Sequence, residues 1–156
     1  MVSFATVPPQ LVPGSDPEAQ QPRDFPPLAT DRPLDILLVE DDEADAFLIC
    51  DALRDNQRIG NIVRAHDGVE ALEMIENGLA PDLAIIDLQM PRRDGFGLLR
   101  DLGERGKVNF PAVIFTSSRG GADAYRCFKR GARMFASKPK QADRFAPLLN
   151  EVLKEL

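Results

Sequence analysis

Long apolar runs, histidine and cysteine are scarce in this sequence. No stretch approaches the roughly 20 apolar residues that a membrane-crossing helix needs. The N-terminus has neither a basic segment nor the uninterrupted apolar one that follows it in a signal peptide, so no secretory leader is expected. His66 is the only histidine, which rules out multi-histidine metal centres. Two cysteines, Cys50 and Cys127, cannot make a disulfide framework; they read as inert helix residues in a reducing, cytoplasmic compartment. Cationic side chains are also in the minority, 19 against 25 acidic ones. The resulting net charge of −6 and pI of about 4.8 argue against nucleic acid as the main partner, because phosphate binding wants a basic face. What is present, 44% hydrophobic and 28% charged residues over 156, suits one globular domain with a real core.

Residues 1–33 stand apart. They hold eight of the thirteen prolines among Gln, Ser, Asp and Ala, as in "VPPQLVPGSDPEAQQPRDFPP". Proline at that density blocks helices and sheet ladders, so an extended, flexible tail is expected, with a docking segment for a partner as the alternative.

From Leu34 onward two textures alternate. Buried-strand candidates are "LDILLV" (34–39), "NIVRA" (61–65), "PDLAIID" (81–87), "PAVIFTS" (111–117) and "RMFAS" (133–137). Helical patterns lie between and after them. Ala44, Leu48 and Ala52, widened by Ile49 and Leu53, make the first stripe; Val69, Leu72 and Ile75 make the second, closed by Gly78. "GFGLLRDLGERG" is the third helix and "GADAYRCFKRGA" the fourth. The last carries the stripe Phe145, Leu148, Leu149, Val152, Leu153 and Leu156, with Pro147 expected in its first turn, where a missing N–H costs least. Five strands alternating with five helices imply an α/β fold: a doubly wound, five-stranded parallel sheet in three αβα layers.

Ligands in such sheets bind at the carboxyl ends of the strands. Those ends collect Glu40 and Asp41, Asp87, Thr116 and Lys138. The stretch "LLVEDDEAD" is unusual, with five acids in the six positions after an apolar run. Two carboxylates about 4 Å apart repel by roughly 4 kcal/mol at an effective dielectric of 20. A bound Mg²⁺ reverses that sign, since it prefers carboxylate and carbonyl oxygens and shares phosphate oxygens with a substrate. An aspartate can then act as nucleophile toward a phosphoryl group, while Lys138 pairs with one phosphoryl oxygen and Thr116 donates a hydrogen bond to another.

The stretches "ILLVEDDEAD", "DGVEALEMI", "PDLAIIDLQMPRRDGFGLL", "PAVIFTSS" and "GARMFASKP", in this order and spacing, resemble the CheY-like receiver domains of bacterial response regulators over residues 34–156. That resemblance implies a flavodoxin-like (βα)5 fold and a two-component phosphorelay role. A histidine kinase would phosphorylate Asp87; Glu40, Asp41, Asp87 and the backbone carbonyl of Gln89 would hold Mg²⁺. Thr116 would be the switch hydroxyl, Lys138 the phosphate-pairing lysine and Phe135 the aromatic switch. A cis Lys138–Pro139 bond would follow the family pattern. "VEDDEADAFLICDAL" is most similar to the single-domain regulators paired with bacterial phytochromes, which makes a bacteriophytochrome a candidate kinase.

Departures from the pattern are Glu40, where aspartate is commoner, and Phe135, which has no hydroxyl. Gln89 and Ser118 stand where the family tunes the lifetime of the acyl phosphate. An offset pair, Asp41 with Asp42, competes with Glu40 and Asp41, but the apolar run ends at Val39. Asp42, Glu43 and Asp45 read better as the acidic start of a helix than as ligands. Asp94–Gly95 reads as a turn, His66 as a surface residue and "SSRGG" (117–121) as a flexible loop without the end of a P-loop. Arg126, Lys129, Arg130, Arg133 and Lys140 form a basic face, read either as solvated or as a homodimer or partner surface over the fourth helix, fifth strand and fifth helix. No output domain and no enzyme activity of its own are expected of this chain. A haloacid-dehalogenase-type phosphatase would need an acid where Gln89 stands. A flavin carrier would not place "EDDE" in its phosphate loop. An adaptor that ignores phosphorylation would not need the acid, hydroxyl and lysine set.

Overall fold

The computed structural model describes residues 27–105, 109–118 and 120–156. Most of the expected tail lies outside these residues. Its last part, from residue 27, packs against the body: Leu28 joins the core, and Arg32 makes a two-point salt bridge to Asp82 (2.6 and 2.8 Å).

Five parallel strands, β1 (Leu34–Val39), β2 (Ile59–Ala65), β3 (Leu83–Ile86), β4 (Ala112–Thr116) and β5 (Met134–Ser137), form one sheet in the order β2-β1-β3-β4-β5. The helices are α1 (Glu43–Arg54), α2 (Gly68–Glu76), α3 (Gly95–Glu104), α4 (Gly121–Lys129) and α5 (Phe145–Glu155). This is the doubly wound, flavodoxin-like arrangement expected from the alternation. β2 begins two residues earlier than its apolar pattern suggests, because an edge strand can pair without being buried on both faces.

Strand alternation divides the core. Ile36, Leu38, Leu83, Ile85, Val113, Phe115, Met134 and Ala136 face the α1–α5 layer. Leu37, Val39, Ala84, Ile86, Ala112, Ile114 and Phe135 face α2, α3 and α4. Both faces are covered, which explains why the strands read as continuous apolar runs rather than alternating ones. Phe115 and Phe145 meet edge to face, with ring centroids 5.7 Å apart, and tie α5 to the sheet.

α1 is rotated from the expected stripe. Ala46, Ile49, Ala52 and Leu53 are buried, whereas Ala44 is exposed. Positions spaced by four drift about 40° per step around a helix of 3.6 residues per turn, so the face against α5 picks up Ala46 and loses Ala44. In α2, Ala71 is buried with Leu72 and Ile75 while Val69 is only half-buried.

The helix starts use aspartate repeatedly. Asp42, Asp67 and Asp94 cap α1, α2 and α3, their side chains accepting from the amides of Asp45, Glu70 and Gly97 at 2.8–2.9 Å. Gly78, at φ +103°, closes α2 in the left-handed region, as its position after the apolar stripe suggests. Pro147 is the third residue of α5 and meets the first-turn expectation. Among the described residues no helix is long and apolar enough to cross a membrane.

Candidate functional site

The strand order puts β1 beside β3, β3 beside β4, and β4 beside β5, so residues just past these strands share one rim of the sheet. Backbone bonds hold them there: the Asp87 amide donates to Val39 O (3.0 Å) and the Lys138 amide to Thr116 O (2.8 Å). Arg64 of β2 braces the first loop. Its Nε donates to Glu40 O (3.0 Å), one terminal nitrogen to Asp41 O (3.3 Å) and the other to the Glu43 carboxylate (2.8 Å). Behind Asp87, a Cβ placed on Gly95 would lie 2.4 Å from the Asp87 carbonyl oxygen. Only glycine permits that approach, so "DG" here is more than a turn.

Carboxylate oxygens of Glu40, Asp41 and Asp87 lie within 4.8 Å of one another. Ligands opposite each other in a Mg²⁺ octahedron are about 4.2 Å apart and adjacent ones about 3 Å, so one hard cation fits this set with small adjustments. Glu40 and Asp87 are buried, Asp41 less so.

Lys138 is the counter-charge. Its Nζ lies 2.6 Å from Glu40 Oε2, 2.8 Å from Asp45 Oδ2 and 3.3 Å from Asp87 Oδ2, with its side chain 5% exposed. Burial pushes Glu40 up to about 7, and the Asp87 charge adds to this; Lys138 and the Asp42 amide pull back. For Lys138, burial alone would lower the pKa, but the hydrogen bonds to Asp45 and Glu40 and the charge of Asp87 outweigh it and hold it above the ordinary lysine value.

Thr116 is fully buried at the end of β4, and its Oγ1 accepts from the Ser118 amide at 3.4 Å. Gln89 is exposed, with its amide 3.5 Å from Asp87 Oδ1. Phe135 is buried on the α2–α4 side of the sheet, in register with Ile114. An open cavity of about 370 Å³ adjoins the rim, lined by Asp41, Gln89, Met90, Asp94, Phe96 and Ser118 among others.

Several expectations need correction. No peptide bond among the described residues is cis, so Lys138–Pro139 is trans, the form that X–Pro bonds prefer by about 0.5–1 kcal/mol. Asp45, read only as an acid at a helix start, reaches into the site. No local signal could have revealed this, because Lys138 lies 93 residues away in the chain. Asp42 caps a helix and Glu43 pairs with Arg64, in line with their expected roles at the start of α1. His66 is exposed and bonds to Glu70. The basic face is less free than it looked: the Arg126 and Arg130 guanidinium carbons lie 4.0 and 5.5 Å from the ring centroid of Phe96 on α3. "SSRGG" includes Arg119, outside the described residues.

Residues 36–150 match the family model described as the response regulator receiver domain. The transcriptional regulatory protein CiaR of Streptococcus pneumoniae is 32% identical over 119 residues, covering 76% of this chain and 51% of that protein. The first curated relatives are longer than the matched region, which spans 30% to 51% of their length. Among solved structures, the phosphorylated cyanobacterial phytochrome response regulator RcpA superposes with a TM-score of 0.72 at 24% identity, covering 77% of this chain and 91% of that one. The Mn²⁺-bound response regulator Rcp1 gives 0.70 at 23%, covering 80% and 97%. At these identities the two structures bear on the fold alone. With a parallel sheet in the order β2-β1-β3-β4-β5 and a family match over most of its length, the chain belongs to the response regulator receiver domain family of two-component signalling.

Proposed function

We propose that the chain accepts a phosphoryl group from a histidine kinase onto Asp87, with a divalent cation, Mg²⁺ in the cell, held by Glu40, Asp41, Asp87 and the backbone carbonyl of Gln89. The observation that carries this is the convergence of Lys138 with Glu40 and Asp87 at a carboxylate cluster of a size to hold one cation. The cation supplies neutralisation of charge on the phosphoryl oxygens. An Asp87 oxygen attacks phosphorus, the bond from phosphorus to the kinase histidine nitrogen breaks, and an acyl phosphate results. Lys138 transfers its hydrogen bonds from the carboxylates to a phosphoryl oxygen, and the Thr116 hydroxyl turns toward another. Phe135, with no hydroxyl to donate, responds by repacking its ring. The α4, β5 and α5 surface then binds a partner or a second copy of the chain. A bacteriophytochrome as the kinase rests on the resemblance carried by "VEDDEADAFLICDAL". A cytoplasmic location follows from that partnership.

Incubation with Mg²⁺ and acetyl phosphate, followed by intact-mass measurement, tests the reading. One phosphoryl mass is expected on the wild type, and none on Asp87→Asn or after chelation. Labelling of Asp87→Asn to the wild-type extent would reject Asp87 as the acceptor.

A further inference from the structure

Asp45 lies on the first turn of α1, outside the carboxylate set that can hold a cation. Its backbone is pinned there, because its amide donates to the Asp42 cap. Its carboxylate is 30% exposed, yet it reaches an ammonium whose side chain is only 5% exposed. A lysine ammonium has three donors, and here each has its own acceptor: Glu40, Asp45 and Asp87.

Two of those acceptors are also members of the cation-holding set. A divalent cation that takes oxygens of Glu40 and Asp87 therefore contests two of the three hydrogen bonds of Lys138, and it also repels the ammonium. Stripping a buried ammonium of its partners is costly. Asp45 offers the one uncontested bond.

We propose that Asp45 is a positioning residue: it retains the Lys138 ammonium when a divalent cation occupies Glu40 and Asp87, and so sets how tightly the cation is held. This rests on the proposed function of the site and adds a residue to it. A lysine held by Asp45 stays at the rim, within reach of an incoming phosphoryl oxygen. Without Asp45, the ammonium has only Glu40 and Asp87 to turn to and competes with the cation directly.

A double-mutant cycle read by Mg²⁺ calorimetry on the unphosphorylated full chain tests this. Asp45→Asn keeps the side-chain shape and leaves the helix cap intact. It is expected to weaken Mg²⁺ binding about fivefold or more, while in a Lys138→Met background the same change alters binding by less than about twofold. Lys138→Gln serves as the neutral background if Lys138→Met does not fold. Equal losses in both backgrounds would mean that Asp45 acts merely as one more negative charge, and would overturn the proposal. So would an unchanged affinity in Asp45→Asn. A wild type that takes up no Mg²⁺ would instead overturn the metal site, and the proposed function with it.

Discussion

At the scale of the residue, the acids of the first loop divide by environment rather than by type. Asp42 spends its carboxylate on a helix cap, Glu43 pairs with Arg64 at the surface, and Glu40 is buried against Lys138 and Asp87. Burial raises Glu40 from an ordinary 4.5 to about 7. An acid raised in the folded state contributes stability that is full below about pH 4.5 and is lost as pH rises through about 7. A cation that binds Glu40 must expel the same proton. Mg²⁺ affinity should therefore climb by up to about tenfold per pH unit below about pH 7 and level off above it. Calorimetry across that range, in buffers of different ionisation enthalpy, reads the proton directly. A flat profile would reject the competition, and Glu40→Gln should abolish the slope along with much of the affinity. Cys127 shows the same physics without chemistry. Fully buried in the sheet–helix core, its thiol is pushed up to about 12 by desolvation, in keeping with an inert helix residue.

Elements carry the site by how closely they approach it. α3 begins at Gly95, whose amide donates to Leu88 O (3.0 Å) and whose missing Cβ leaves room for the Asp87 carbonyl. Gly95→Ala drives a methyl group into that oxygen. Moving the loop away costs about 1–3 kcal/mol of overpacking and displaces the Asp87 carboxylate with it. The expected outcome is a lower urea midpoint together with weaker Mg²⁺ uptake; unchanged values of both would mean that the loop yields freely. α5 is a simpler case, since its stripe exists to bury area. Phe145→Ala removes the ring that meets Phe115 and should cost about 3–5 kcal/mol, read from chemical denaturation. Phe145 lies in the α1–α5 core and not at the acidic rim, so stability, not phosphorylation chemistry, is the property affected.

At the scale of the molecule, the described residues form one sheet between two apolar layers, and among them neither layer has a second surface to rest on. The two cores should therefore unfold together. Phe145→Ala on the α1–α5 side and Leu98→Ala on the other should each lower a single cooperative transition, with far-UV dichroism and tyrosine fluorescence coinciding. Separate transitions would show that the layers are independent. Leu28 extends the α1–α5 core beyond the sequence expected to form the domain. Leu28→Ala should cost about 2 kcal/mol, whereas a side chain hanging in solvent would cost nothing measurable.

What could be read from the chain alone was what depends on neighbours in sequence or on apolar continuity. Strands buried on both faces announce themselves as runs, the stripe of α5 repeats at helical spacing, and the fold's rule for strand ends gathers Glu40, Asp41, Asp87, Thr116 and Lys138 on one rim. The family resemblance then attached roles to those positions. The tertiary structure alone decided which face of α1 is buried, that Lys138 divides its hydrogen bonds among three acids, that Arg126 and Arg130 lie over Phe96, and that Leu28 belongs to the core. Each of these depends on a contact between side chains far apart in the chain, and neither periodicity nor composition carries information about such a contact until the sheet has brought its two ends together.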